Sequence, residues 1–360
     1  MSIVTARAPG KAVLLGEYAV LQGAPALAMA VDRYARVSIE SCALRDCSVS
    51  APQLGIEPIA FRPKANGPLD WDVSAAGWSS LERTATLLNH LHGLAVERFG
   101  DPGPFRAVID TEDLFMDWEG ERIKLGLGSS SAVAVALDAG LRRFAGGEEV
   151  SGSSMRALER LLQPYRRGQG GQGSGIDLAA SLCGGVICYQ RMGEEFAVRH
   201  MTLPGNLMLM FVWTGRPAST PEMLALYRRW RKESPKHAGR IDKQMGAICL
   251  AAQSAISDGD GESMVEHFRD YGRIMGTMGS LMGADIVSTE HARIQAGAQD
   301  LGLAYKPCGA GAGDLGMVAA TDPGQLRKMR DWLETQGLPI LPLEVDGAGV
   351  QTEARSPGQV

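Results

Sequence analysis

Residues 124–137 read KLGLGSSSAVAVAL: two glycines, three serines and then an uninterrupted apolar run. The run continues as far as Phe144 and stops at Gly146-Gly147, which predicts a helix that starts at Ser129 with serine as its cap. A helix start exposes N–H groups that lack intrahelical acceptors, together with the positive end of the helix dipole. Glycines just before it let the backbone approach an anion closely, so this junction suits phosphate. The hydroxyls either cap the helix or reach a metal ion held by the phosphates; an ordinary tight turn before a capped helix is the plainer reading. This junction fits neither G-x-x-x-x-G-K-[ST] nor G-x-G-x-x-G, so the common nucleotide-loop patterns have no support in it.

Working outward, glycine is the compositional outlier, at 45 of 360 residues where a share of roughly 7% is usual. The excess is local. The windows 126–128, 168–185 and 309–316 hold thirteen glycines in 29 residues, which marks three loops suited to wrapping an anion with N–H groups. With 45% hydrophobic and 21% charged residues the chain has ample material for a core, and its length fits one large or two medium domains. A formal charge of −5 argues against broad binding to a nucleic-acid backbone but allows one local anion site. Six cysteines form no C-x-x-C pair and stand beside no histidine at zinc-ligand spacing, as expected of reduced thiols. The opening MSIVTARAPGK does not read as a signal peptide, and no stretch reaches 18 uninterrupted apolar residues. A cytoplasmic protein without membrane contact is expected.

Strands are predicted at 3–8, 34–41, 105–110 (FRAVID), 185–190 (GVICYQ), 207–215 (LMLMFVWTG) and in ILPLEV at 340–345. Helices are predicted at about 75–99, from 129, through most of 220–301, and in GQLRKMRDWLETQG. The change of pattern near 195–205 suggests two lobes, with a loose polar tail at 351–360.

Four segments occur in a telling order: APGKAVLLGEYAV at 8–20, GLGSSSA at 126–132, GSGIDLAAS at 173–181 and KPCGAGAGD at 306–314. In these the sequence resembles the GHMP kinase superfamily. GEYAVL with tyrosine at Tyr18, and WTGRPAST at 213–220, make it most similar to the phosphomevalonate kinases within that superfamily. The resemblance implies a two-lobed α+β enzyme. Residues 1–200 would form a ribosomal-protein-like lobe, residues 201–350 a ferredoxin-like lobe, and ATP would bind between them. It implies ATP- and Mg²⁺-dependent conversion of 5-phosphomevalonate to 5-diphosphomevalonate. The nucleotide loop maps to Lys124, Gly126, Leu127, Gly128, Ser129, Ser130 and Ser131, with Ser130 as metal ligand. Lys11 and Asp177 take the catalytic positions. Glu17, Tyr18, Gly173, Ser174, Arg216, Ser219, Gly309, Ala310 and Gly311 would line the acceptor side.

A phosphomonoester acceptor is mostly ionised at pH 7, since its second pKa is about 6. Asp177 is then expected to orient and tune Lys11 and not to serve as an obligatory base. Mevalonate kinases carry a second metal-binding glutamate about eleven residues before this aspartate; here Arg166 stands there. A cation at that place suits an acceptor that already carries phosphate, although Arg166-Arg167 also reads as a solvated helix end. Lys306 reads as a surface lysine, with anion contact as the alternative. Gly272, Gly276, Gly279 and Gly283 share one helix face, which suits close packing more than ligand contact. The rival readings are another GHMP small-molecule kinase, for mevalonate or another hydroxyl acceptor, and a catalytically silent ligand sensor of the same fold.

Overall fold

Exposed and buried residues alternate from Ile3 to Ala8, and the strand they begin, β1, runs on to Leu15. It pairs antiparallel with β2 (Ala26–Ser41) along nearly its whole length. Both strands are longer than the predicted 3–8 and 34–41, since β1 continues through Pro9 and Gly10 and β2 begins at Ala26. The ladder absorbs Pro9 at a register shift between Pro9 and Gly10, the kind of place where a sheet tolerates proline. This computed structural model describes residues 3–64, 67–73, 75–148, 155–168, 173–193 and 195–355.

Next come β3 (Ser48–Ala51), β4 (Ile56–Lys64), β5 (Gly67–Trp71), α1 (Ala75–Phe99) and β6 (Phe105–Asp110). A hairpin of β7 (Phe115–Trp118) and β8 (Glu121–Lys124) delivers the chain to α2 (Ser129–Phe144). Then follow α3 (Met155–Gly168), α4 (Ile176–Cys183), β9 (Val186–Met192) and β10 (Glu195–Met201). The remainder is β11 (Met208–Trp213), α5 (Thr220–Glu233), α6 (Pro235–Asp258), α7 (Gly261–Met282), α8 (Thr289–Asp300), β12 (Ala304–Pro307), β13 (Leu315–Ala320), α9 (Pro323–Thr335), β14 (Ile340–Leu341) and β15 (Gln351–Arg355).

Among the described residues the large sheet runs β10-β9-β2-β6-β3-β4-β5, with β1 joined to β2 and β15 to β1. The second sheet runs β12-β13-β11-β14, all antiparallel. Its helices fall between β11 and β12 and between β13 and β14, which is the ferredoxin-like order. Strand alternation gives it two apolar faces. Met210, Val212 and Val318 pack toward a cluster that includes residues of α8 and α9, while Phe211, Trp213 and Met317 join the main core. The architecture is mixed α+β with two sheets, as the resemblance implies.

Two expectations change here. Residues 351–355 are not a loose tail; they pair with β1 from Ile3↔Arg355 to Arg7↔Gln351, satisfying backbone groups on the edge of β1. Residues 356–360 lie outside the described part, as do 169–172 of the second glycine window. The helix α2 is capped not by serine but by Gly128, at φ 75°, with no side-chain capping bond. Of the predicted glycine face, Gly272 and Gly279 pack closely, while Gly276 has one neighbour at 3.5 Å and Gly283 caps the helix with open space beside it. A Cβ at Gly272 would lie 2.6 Å from the Tyr305 carbonyl oxygen, so α7 rests directly on the backbone of β12. Among the described residues no helix is long and apolar enough to cross a membrane.

Candidate functional site

Small side chains decide where α2 sits. From Ala132 to Leu141 every residue is buried, and the helix lies against β1, β2, α1 and α4. Leu125 and Leu127 are buried too and pin the loop, leaving the intervening glycines to make its turns. Gly126 and Gly128 have φ of 73° and 75° and also fill close approaches. A Cβ on Gly126 would lie 2.7 Å from that of Asp314, and one on Gly128 would touch the Lys11 side chain at 3.0 Å. The Lys11 amide donates to Leu127 O at 2.8 Å, which fixes β1 against the loop. Of the three serines, Ser131 is buried and donates to Gly128 O at 2.7 Å, and Ser129 is buried. Ser130 is exposed, so it is the hydroxyl that can face a ligand.

The α4 segment supplies Asp177, in its first turn. Gly175 (φ 93°) begins the helix against Leu162 and the Tyr189 hydroxyl, and Tyr189 donates to Ser174 O at 2.7 Å. Ser131 and Ser181 hydroxyls approach to 3.4 Å, setting α4 against α2. Tyr165 on α3 donates to Asp177 Oδ2 at 2.5 Å. Among the described residues no ion pair joins Asp177 to Lys11, and Tyr165 is the group that holds the Asp177 carboxylate. The charge of Lys11 reaches Asp314, at the end of the KPCGAGAGD loop. Burial raises the Asp314 pKa, while a hydrogen bond from the Ala218 amide and the charges of Lys11 and Lys124 oppose the rise.

Glu17 and Tyr18 are turned toward that same glycine loop. Glu17 Oε1 pairs with Lys306 Nζ at 2.5 Å and accepts from the Gly309 amide at 3.2 Å. Tyr18 donates to Ala310 O at 2.6 Å, and burial pushes its phenol up. Both residues thus shape the loop, Glu17 through Oε1 alone, since its Oε2 is buried without a hydrogen-bond partner among the described residues. Lys306 is not a surface lysine: it is fully buried. Gly311, at φ 76°, lies against Ile286 O, and His291 on α8 ties Gly313 O to the Tyr305 hydroxyl.

Beside the Ser174 end of α4 opens a cleft of about 1000 Å³. Arg166, Arg191, Arg228 and Arg231 line it, with Gly173, Ser174 and the Val20–Gly23 turn, and no carboxylate lines it among the described residues. Arg166 Nε donates to Gly173 O at 3.1 Å. Arg216 is not part of this lining; its guanidinium lies 3.9 Å from Glu290, and its carbonyl holds the Asp314 amide at 2.6 Å. Ser219 stands at the start of α5 without a side-chain capping bond.

Known proteins resemble this chain in sequence and in fold. A family profile described as "GHMP kinases N terminal domain" matches residues 87–185. A phosphomevalonate kinase of Streptomyces sp. (strain CL190) is 30% identical, covering 94% of this chain and 96% of its own. The chain belongs to the GHMP kinase family. A mevalonate kinase of Thermococcus gammatolerans is 27% identical to this GHMP kinase, covering 97% of this chain and 98% of its own. In fold, Streptococcus pneumoniae phosphomevalonate kinase, solved with phosphomevalonate and AMPPNP, superimposes with a TM-score of 0.77 at 18% identity, over 96% of this chain and 99% of that one.

Several groups of this GHMP kinase site escape sequence reading. Asp314 closes a quoted motif, yet only its contact with Gly126 shows its place. Tyr165 lies in a basic run, and its hydrogen bond to Asp177 arises because α3 packs on α4. Arg191, Arg228 and Arg231 come from a hairpin and a helix far apart in sequence. The one signal for them is the Arg228/Arg231 spacing of three on α5, which puts both on one face.

Proposed function

We propose that this GHMP kinase transfers the γ-phosphoryl group of ATP to the phosphate of 5-phosphomevalonate, giving 5-diphosphomevalonate and ADP. The arginine cleft beside the Ser174 end of α4 carries this reading: four guanidinium groups line it, with no carboxylate in the lining among the described residues, which favours an acceptor that arrives as an anion. Similarity to the Streptomyces phosphomevalonate kinase and to the Streptococcus enzyme solved with phosphomevalonate supports it.

The chain's own groups divide the work. The Gly126–Ser131 loop and the free N–H groups at the start of α2 receive the donor phosphates. No cluster of three or more metal-ligating side chains exists among the described residues. Mg²⁺ would therefore be held by the phosphates together with Ser130, and it would neutralise charge on the transferring group. An ionised oxygen of the acceptor phosphate attacks the γ-phosphorus while the bond to the ADP oxygen breaks. Lys11 stabilises the charge on the equatorial oxygens, and phosphoryl transfer demands little more than such positioning and neutralisation. Asp177, held by Tyr165, acts by charge and position, because the acceptor has no hydroxyl proton to lose.

An ADP-release assay with MgATP and 5-phosphomevalonate, mevalonate, homoserine and galactose offered separately tests the reading. Turnover with 5-phosphomevalonate is expected. Turnover with mevalonate alone would replace it by the hydroxyl-kinase reading, and none with any acceptor would favour the silent sensor.

A further inference from the structure

The arginine cleft has more positive charge than one phosphate requires, and it is drawn from separate elements: Arg166 on α3, Arg191 on β9, and Arg228 with Arg231 on α5. When the acceptor's phosphate is itself the nucleophile, that phosphate must lie at the Lys11 and Asp177 end, against the donor. Arg166 belongs to this end. It holds Gly173 O at 3.1 Å, and its neighbour Tyr165 holds Asp177. The α5 arginines flank Tyr227, whose ring packs 5.0 Å from that of Tyr18, on the side of the cleft formed by the Val20–Gly23 turn. There Asp242 accepts from Arg231 Nε at 3.0 Å and from the Tyr227 hydroxyl at 2.7 Å, so one guanidinium is fixed and largely balanced. Arg228 has no ion-pair partner among the described residues and is half-buried. A half-buried, unbalanced guanidinium away from the reacting phosphate calls for a second anionic group on the ligand.

Resting on the phosphomonoester reading above, we propose that Arg228, steadied by its fixed neighbour Arg231, binds a carboxylate at the end of the acceptor remote from its phosphate. The cleft thereby selects short acceptors that are anionic at both ends. 5-Phosphomevalonate has this form, with its carboxylate opposite its phosphate.

The experiment compares 5-phosphomevalonate with its carboxyl methyl ester, on wild-type enzyme, Arg228→Gln and Arg228→Lys. The expected result is a KM about tenfold higher for the ester than for the acid on wild type, the scale of one charged hydrogen bond. Arg228→Gln raises KM for the acid by a similar factor and leaves KM for the ester unchanged, and Arg228→Lys recovers part of the loss. Equal KM for acid and ester on wild type, or an equal loss on both in Arg228→Gln, overturns the proposal while the kinase reading stands. Absence of wild-type turnover with 5-phosphomevalonate overturns that underlying reading instead, and the proposal with it.

Discussion

A phosphomonoester acceptor changes what the carboxylate of Asp177 is for. With the proposed acceptor the nucleophilic oxygen is already ionised, and Lys11 is then expected to carry the larger share of the rate. Lys11→Met is expected to lower kcat by about 10²-fold or more, and Asp177→Asn by clearly less. Steady-state kinetics on the two variants decides this, and the reverse ranking contradicts it. At this scale the sequence exposes a residue when its role is local. Gly126, Gly128 and Ser130 stand out because the loop and the helix that follows occupy one contiguous stretch. Asp314 and Lys306 do not stand out, since their partners, Gly126 and Glu17, lie 188 and 289 residues away in the chain.

Elements show the same division. The helices α1 and α2 and the strand β6 are legible from period and punctuation, whereas β1 and β2 extend past the predicted 3–8 and 34–41 because the ladder absorbs Pro9 and Gly10 at a register shift. The α7 glycines separate packing from propensity. Gly272→Ala would force a Cβ to 2.6 Å from Tyr305 O and should destabilise by about 1–3 kcal/mol. Gly276→Ala meets only Val287 Cγ2 at 3.5 Å and should be neutral or stabilising by up to about 1 kcal/mol. Urea unfolding of both variants checks the contrast. The helix α8 adds a pH dependence. His291 Nε2 faces Gly313 O and so carries the proton, while Nδ1 accepts from the Tyr305 hydroxyl. Burial lowers its pKa from 6.5 to about 4. The unfolded chain takes up the proton first, so this contribution is complete above about pH 6.5 and is lost as pH falls toward about 4. The loss is on the order of 3 kcal/mol. Thermal midpoints across that range should fall, and His291→Gln should flatten the slope.

Across the whole molecule, contacts from distant parts of the chain converge on the turn after β1. Glu17 pairs with Lys306, its carbonyl accepts from the Tyr271 hydroxyl at 2.6 Å, and Tyr18 reaches Ala310 O. The large sheet and the ferredoxin-like sheet are joined through these bonds and through Asp314 over Gly126. Lys306→Met leaves Glu17 buried without its cation and should cost about 3–5 kcal/mol, a loss that Glu17→Leu combined with Lys306→Met largely restores. Equilibrium unfolding of the single and double variants measures it. The arginine cleft is likewise a property of the assembled fold, which is why composition, with its net charge of −5, gives no hint of it.

The central claim is that a phosphate, and not a hydroxyl, accepts the transferred group. Phosphorus NMR of the product formed from MgATP and 5-phosphomevalonate tests it most directly. Two mutually coupled diphosphate resonances, growing as the monoester signal disappears, are predicted. A new, uncoupled monoester signal, with the original one retained, would contradict the account.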